Sequence, residues 1–332
     1  MRAGDRVLPT VAGTIVRPQT GVRLDAHGHA WIAPPSLVAD HVPALTDEPR
    51  LATGLARFAQ AAAPRRAALL DVQAPGCGRD AAALARLAAA SGVAIAALTG
   101  FHLARAYPKG LRPWTTADAA LGTFVRELEG GLREAPMARA AAIQAAFTGT
   151  PEDGDPCWDG AIEASARTGA MLVVHTERGA GVEDLVEWLE GRGVPPERLY
   201  LLDVDQRDDA ELHLELARAG VLLGFAASLG GEDGGPGADG RAEPYALLER
   251  LLEAGIARSI ALGLDLGSPL RWAEAAEASS TGPAALVTVV ETRLRALGTS
   301  PDDIDTLLGG SLLERAARPE VATGSGVPGA WR

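Results

Sequence analysis

The feature that most constrains the fold is an alternation, repeated along most of the 332 residues, of short apolar runs with longer segments of helical spacing. Val22–Ala26, Ala67–Val72, Val93–Leu98, Ala140–Phe147, Ala170–His175, Leu199–Val204, Val221–Phe225 and Ser259–Leu264 read as buried strands. The helical segments are Arg79–Ala90, Thr116–Leu132, Trp158–Thr168, Gly181–Arg192, Asp208–Arg218 and Glu243–Ala254, with Pro283–Leu297 as a final long helix. Leu84 and Leu87 share one helical face, and Leu212 and Leu216 stand at i, i+4. Strands separated by ~10–15-residue helical segments imply parallel βαβ units. Eight such strands predict an α/β protein, a single (β/α)8 TIM barrel over residues 1–332, with 1–20 as an N-terminal lead-in and 318–332 as a C-terminal tail. A doubly wound open sheet is the second option. No G-x-G-x-x-G follows the first strand, which weakens its dinucleotide-binding form.

Composition fits this architecture. Apolar residues make up 47% and aromatic ones only 4%, so the core must be built from Ala, Leu and Val in packed layers. A net charge of −12 argues against nucleic acid as a partner. Cys77 and Cys157 are too few for a disulfide framework, and no apolar run approaches the ~18 residues of a membrane span. No segment has the order of a signal peptide, so a soluble cytoplasmic protein without a membrane partner is expected.

In a barrel of this kind, chemistry is assembled at the C-terminal ends of the strands. Those ends carry His27 and His29, Asp71, His102 just past its strand, Gln144, His175, Asp203 and Asp265. Side chains at i and i+2 of a strand project to one face, so His27 and His29 can share a divalent metal. His175 and Asp265 supply a further imidazole and a carboxylate. Asp71 reads as a cap for its own following loop, and His102 as a pocket-lining residue. His41, in a loop, and His213, on a helix, are assigned no chemistry. The Gly-rich stretch Gly230–Gly240 reads either as a lid over the catalytic end or as a plain connector.

These motifs resemble the phosphotriesterase-related branch of the amidohydrolase superfamily. The resemblance runs through Asp25-Ala26-His27-Gly28-His29, the Gly76-Cys77-Gly78-Arg79-Asp80 loop, Thr99-Gly100-Phe101-His102, His175-Thr176 and Leu307-Leu308-Gly309-Gly310-Ser311. It implies a metal centre, usually of two zinc ions, in the barrel mouth. The implied ligands are the strand-one His-x-His, a carboxylated lysine on strand four, histidines on strands five and six, and an Asp on strand eight. His27, His29, His175 and Asp265 match that pattern. Gln144 stands at the lysine position and Asp203 at that of the strand-six histidine.

A glutamine amide cannot form a bridging carbamate, and the sole lysine, Lys109, lies in the loop beyond His102. The expectation is therefore one divalent ion, zinc with iron or manganese as alternatives, held by His27, His29, His175 and Asp265. Asp265 is the expected general base, and Asp203 is a ligand, a proton shuttle or a relic of a site that no longer binds a second ion. His102, Gln144, Glu177 and Arg178 are candidates for contact with a small-molecule substrate: an ester, lactone, amide or phosphoester. Loss of two ligand positions leaves open a repurposed, non-hydrolytic barrel, possibly in a biosynthetic pathway. Relatives suggest a homodimer.

Overall fold

The computed structural model describes residues 6–16, 21–35, 44–226, 244–267, 269, 272 and 282–319. His41, the Gly230–Gly240 stretch and much of the expected lead-in and tail lie outside the described residues. An antiparallel hairpin comes first, with β1 (Arg6–Thr10) and β2 (Gly13–Val16) in register Val7 to Val16. Then come β3 (Val22–Gly28), β4 (Arg66–Asp71), β5 (Ala94–Ala97) and β6 (Thr99–Gly100). These are followed by β7 (Ile143–Phe147), β8 (Leu172–Thr176), β9 (Leu199–Leu202), β10 (Leu222–Phe225) and β11 (Ile260–Leu262).

The strands from β3 to β11 are parallel and buried on both faces, which is why they read as continuous apolar runs. β3 pairs with β4 and β4 with β5, while a second ladder runs from β6 through β7, β8, β9 and β10 to β11. β5 and β6 are two pieces of one barrel strand interrupted at Leu98. Ala141 N donates to Ala97 O and Thr99 N to Ala142 O across the interruption. The ring closes where Asp265 N donates to His27 O at 2.7 Å, beside β11 and β3. The chain thus forms the expected (β/α)8 barrel.

Its interior is narrow and filled largely by small side chains, including Ala26, Ala68, Ala96, Ala142 and Ala261, with Leu24, Leu70 and Val173. Tyr200 is the large exception. Its hydroxyl donates to Ala26 O at 3.2 Å, and its ring occupies the space that a Cβ at Gly224 would need, only 3.0 Å away.

Around the strands pack α1 (Glu48–Ala62), α2 (Ala81–Ser91), α3 (Ala117–Glu129), α4 (Pro156–Thr168), α5 (Val182–Gly191), α6 (Ala210–Ala219) and α7 (Pro244–Glu253). Asp80 caps α2 by accepting from Ala82 N and Ala83 N, both at 3.0 Å. α1 was not among the expected helices. Its buried Leu51, Leu55, Phe58 and Ala62 follow a regular helical stripe, so the signal was present but diluted by the Ala, Arg and Gln between them. Among the described residues, no helix is long and apolar enough to cross a membrane.

The final helix is not regular as expected. A 3-10 turn (Gly282–Ala284) leads into a π-helical stretch, Leu286–Glu291, and then α8 (Thr292–Ala296). Run-on β-branched residues crowd this stretch, and Thr288 Oγ1 donates back to Ala284 O at 3.1 Å, which weakens the ordinary ladder. The π turn ends at Glu291, which accepts from Arg23 Nε at 2.7 Å, an ion pair buried at the base of β3. Two short helices, α9 (Pro301–Asp305) and α10 (Ser311–Ala316), precede β12 (Arg318–Pro319), which pairs with β1. The start of the expected tail is therefore joined to the lead-in, and Leu8 of the hairpin packs into the barrel-interior cluster.

Candidate metal centre

The site begins with an irregularity in β3. Asp25 is in register with Leu69, but Gly28 pairs with Asp71, so the ladder slips between them. Asp25 sits at this slip, fully buried, and its Oδ1 accepts from His27 N and from Leu264 N, both at 3.1 Å. One carboxylate oxygen thus joins the first barrel strand to the last. The close approach also needs glycine at 263, where a Cβ would lie 2.4 Å from His27 N.

Asp71 corrects an expectation: it does not cap its own loop. Its side chain is buried, so its oxygen must find a donor, and Oδ2 accepts from Ala30 N at 2.7 Å. Asp25 and Asp71 therefore fix the backbone on either side of the His-x-His pair. Sequence reading missed Asp25, although an aspartate inside an apolar run two residues before His27 was a visible signal.

This scaffold brings three candidate ligands together. His29 Nε2 lies 3.2 Å and His27 Nε2 3.5 Å from Asp265 Oδ1. The ligand atoms of His27, His29 and Asp265 all lie within 4.8 Å of one another. His175, expected as a fourth ligand, is not in that group of three; its Nδ1 lies 2.8 Å from Asp203 Oδ2. Asp203 also faces His27, with Oδ1 3.6 Å from Nδ1. Asp203 therefore stands between the two rings, on the side of His27 away from Asp265.

The electrostatics follow from burial and from these contacts. Burial works to raise the Asp265 carboxyl, but the charge of His27 and the hydrogen bond from His29 prevail and hold it well below the usual carboxylate range. Burial opposes the charged form of His29, yet its bond to Asp265 and that carboxylate's charge raise it overall. His27 is lowered, because burial outweighs Asp265 and Asp203. Burial alone dominates at Asp25, raised to about 7, and at Asp71, raised to about 6. His102 is pushed down to about 3 by burial and by neighbouring His175. Its Nδ1 accepts from Leu103 N at 2.7 Å, so the neutral ring carries its hydrogen on Nε2, and it lies 5.0 Å from the His175 ring.

Several buried polar atoms here have no protein partner. They include both Asp203 oxygens by strict hydrogen-bond geometry, His29 Nδ1, and both amide atoms of Gln144. Gln144 is fully buried on β7, and its register partner Val173 belongs to the barrel-interior cluster, so its side chain points inward. An orphaned buried amide costs about 1–3 kcal/mol. Groups of that kind are retained where they serve a ligand.

Backbone strain marks the same rim. Among the described residues, the non-glycine residues with positive φ are Lys109 (57°), Arg178 (59°), Asp203 (64°) and Asp265 (48°). Each such conformation costs about 1–3 kcal/mol and tends to persist at functional sites. Glu177 and Arg178 lie just beyond His175 and line, with Thr148, Thr176 and Gln206, a cavity of about 470 Å³ that His175 borders. Glu177 is paired with Arg105 at 2.6 Å. His213 is buried on α6 with its ring nitrogens against Asp209 O and Val204 O, which steadies the turn after Asp203.

A family profile decides the relationship: that of the phosphotriesterase family matches residues 6–311. The chain belongs to the phosphotriesterase family. That family is one of metal-dependent hydrolases, and the His27, His29 and Asp265 group fits a divalent ion by donor type and spacing. The fold is shared with a lactonase from Listeria monocytogenes, at TM-score 0.78 and 18% identity, over 96% of this chain and 100% of that one. It is shared also with an amidohydrolase from Mycoplasma synoviae, at TM-score 0.79 and 22% identity, over 94% of this chain and 92% of that one. Comparison with curated proteins gives no match. A lysine-bridged pair of ions does not fit, because the inward position on β7 is Gln144.

Proposed function

We propose that this chain is a metal-dependent hydrolase with a single divalent ion, acting on a small carbonyl-centred substrate such as a lactone, ester or amide. A phosphoester is the less favoured bond. The observation that carries the reading is the convergence of His27, His29 and Asp265 within 4.8 Å, set against an inward glutamine where the family's bridging lysine belongs. Zinc suits this donor set, with iron or manganese as alternatives. Bound there, the ion supplies Lewis acidity and acidifies a water molecule to a pKa of about 7.

The protein's own residues divide the remaining work. Asp265 is kept ionised by His27 and His29, so it can take the proton of the attacking water and return it to the leaving group. Asp203 lies 2.8 Å from His175 and faces His27, between the two rings in the manner of a carboxylate behind a metal-binding histidine. His175, so placed, turns its remaining nitrogen away from Asp203 and serves as a fourth ligand or as a proton carrier at the cavity edge. The Nε2–H of His102 and the Gln144 amide are free to orient the substrate carbonyl.

One observation favours a second reading, a barrel that binds its ligand without hydrolysing it: two of the family's ligand positions are changed. Assay against small lactones and esters, before and after chelation and metal return, separates the two. The hydrolase reading expects turnover that is lost with the metal and restored by it. Metal-loaded protein that binds these compounds and leaves them intact supports the second reading.

A further inference from the structure

The turn after β8 holds a side chain that the metal chemistry does not use. Thr176 Oγ1 donates to Leu202 O at 2.7 Å and accepts from Gly179 N at 3.0 Å, and Arg178 N donates to Thr176 O at 3.1 Å. These bonds lock residues 176–179 to the neighbouring strand end. The lock places three nearby residues at positive φ: Arg178 at 59°, Gly179 at 69° and Gly181 at 63°. Glycine meets the demand at two of these positions without strain. At the third the chain keeps an arginine, although glycine would relieve the backbone.

The charges around the cavity single out the same residue. Glu177 is paired with Arg105, and Arg207, next to cavity-lining Gln206, is paired with Glu183 and Asp209. Among the described residues, the Arg178 guanidinium has no hydrogen-bond or ion-pair partner. Arg178 is nevertheless among the residues that line the same cavity as His175. Thr148, Thr176 and Gln206 add neutral polar groups to the walls. Arg178 is exposed at the cavity wall on a backbone held in place by these bonds, and an uncompensated guanidinium there matches a planar or tetrahedral oxyanion.

We propose that Arg178 forms an anion-recognition subsite, and that the substrate carries a carboxylate or phosphate on the side away from the bond cleaved. The word substrate rests on the hydrolase reading; the anion site itself does not. The test compares 4-nitrophenyl butyrate with the 4-nitrophenyl monoester of succinate on zinc-loaded enzyme, and titrates inorganic phosphate and succinate by calorimetry. The native enzyme is expected to favour the charged ester by about tenfold in kcat/KM, as one charge-assisted contact allows. Arg178→Gln should bring that ratio close to one, Arg178→Lys should keep part of it, and rising salt should erode it.

The calorimetric arm also separates the two anions. Tighter phosphate than succinate, weakened in Arg178→Gln, assigns a phosphorylated substrate; the reverse order assigns a carboxylated one. A native ratio at or below one, or a ratio unchanged in Arg178→Gln, overturns the subsite. If neither ester is turned over, the hydrolase reading fails, and the subsite is decided by binding alone. Anion binding lost in Arg178→Gln then upholds it, and anion binding that is absent or unaltered refutes it.

Discussion

The two sides of the barrel mouth are built differently. On the side of β3 and β11, each acidic and imidazole side chain of the site makes at least one close polar contact. Asp25 ties His27 to Leu264, Asp71 holds Ala30, and His27 and His29 both face Asp265. On the side of β7 and β9, Gln144 is buried with an unpartnered amide, and Asp203 faces histidine rings where the family carries a metal-binding imidazole. A candidate ligand group on one side and changed residues at the other implied ligand positions is what the single-ion proposal expects. Under the single-ion proposal the site is halved without loosening its scaffold, because the two halves are anchored by different strands.

Removing the half that holds the His27, His29 and Asp265 group should have the largest effect. His27→Ala or Asp265→Asn should release the metal and lower hydrolysis by about a thousandfold or more, since both the ion and the proton acceptor depend on them. Near-native metal content and turnover in either variant would break the comparison. Asp203→Asn should be milder, weakening metal affinity or activity by about 10–100-fold, as expected for a partner behind the ligands. A fall in stoichiometry from two ions to one in Asp203→Asn would show instead that Asp203 holds an ion of its own.

Asp25→Ala leaves two buried backbone amides without an acceptor and should destabilise the metal-free fold by about 1–3 kcal/mol in urea denaturation. Asp25→Asn keeps an acceptor and should lie between Asp25→Ala and the native protein. The two also differ in pH dependence. Burial raises the Asp25 carboxyl to about 7, above its unfolded value near 4, so the folded state holds a proton that the unfolded chain has released. Stability of the metal-free protein should therefore fall as pH rises from about 4 to 7, and Asp25→Asn should flatten that slope. The smallest effect is expected at Gln144. Gln144→Met removes an orphaned buried amide and should raise the stability of the metal-free protein by about 1 kcal/mol, at the expense of turnover. Destabilisation by that change would mean that the amide is satisfied in the folded protein, and the contrast between the two sides would narrow.

Much of this architecture was legible before any coordinates. The eight apolar runs became the barrel strands, and His27, His29 and Asp265 could be picked out because strand ends are where such barrels place their chemistry. What could not be read is equally specific. α1 was obscured by the many alanines among its anchors. The π-helical stretch before Glu291 depends on a distant partner, Arg23, that local spacing cannot reveal. Asp71 read as a local cap because its true partner, Ala30, lies 41 residues earlier in the chain. His175 and Asp203 read as separate site residues, and only the folded ring brings them within 2.8 Å of each other.

Metal stoichiometry tests the central claim most directly. The purified protein, saturated in turn with zinc, iron or manganese and dialysed, should hold one equivalent per chain, and that equivalent should vanish in His27→Ala. Two equivalents would show that Gln144 and Asp203 still support a second ion, and none would remove the metal centre from the account altogether.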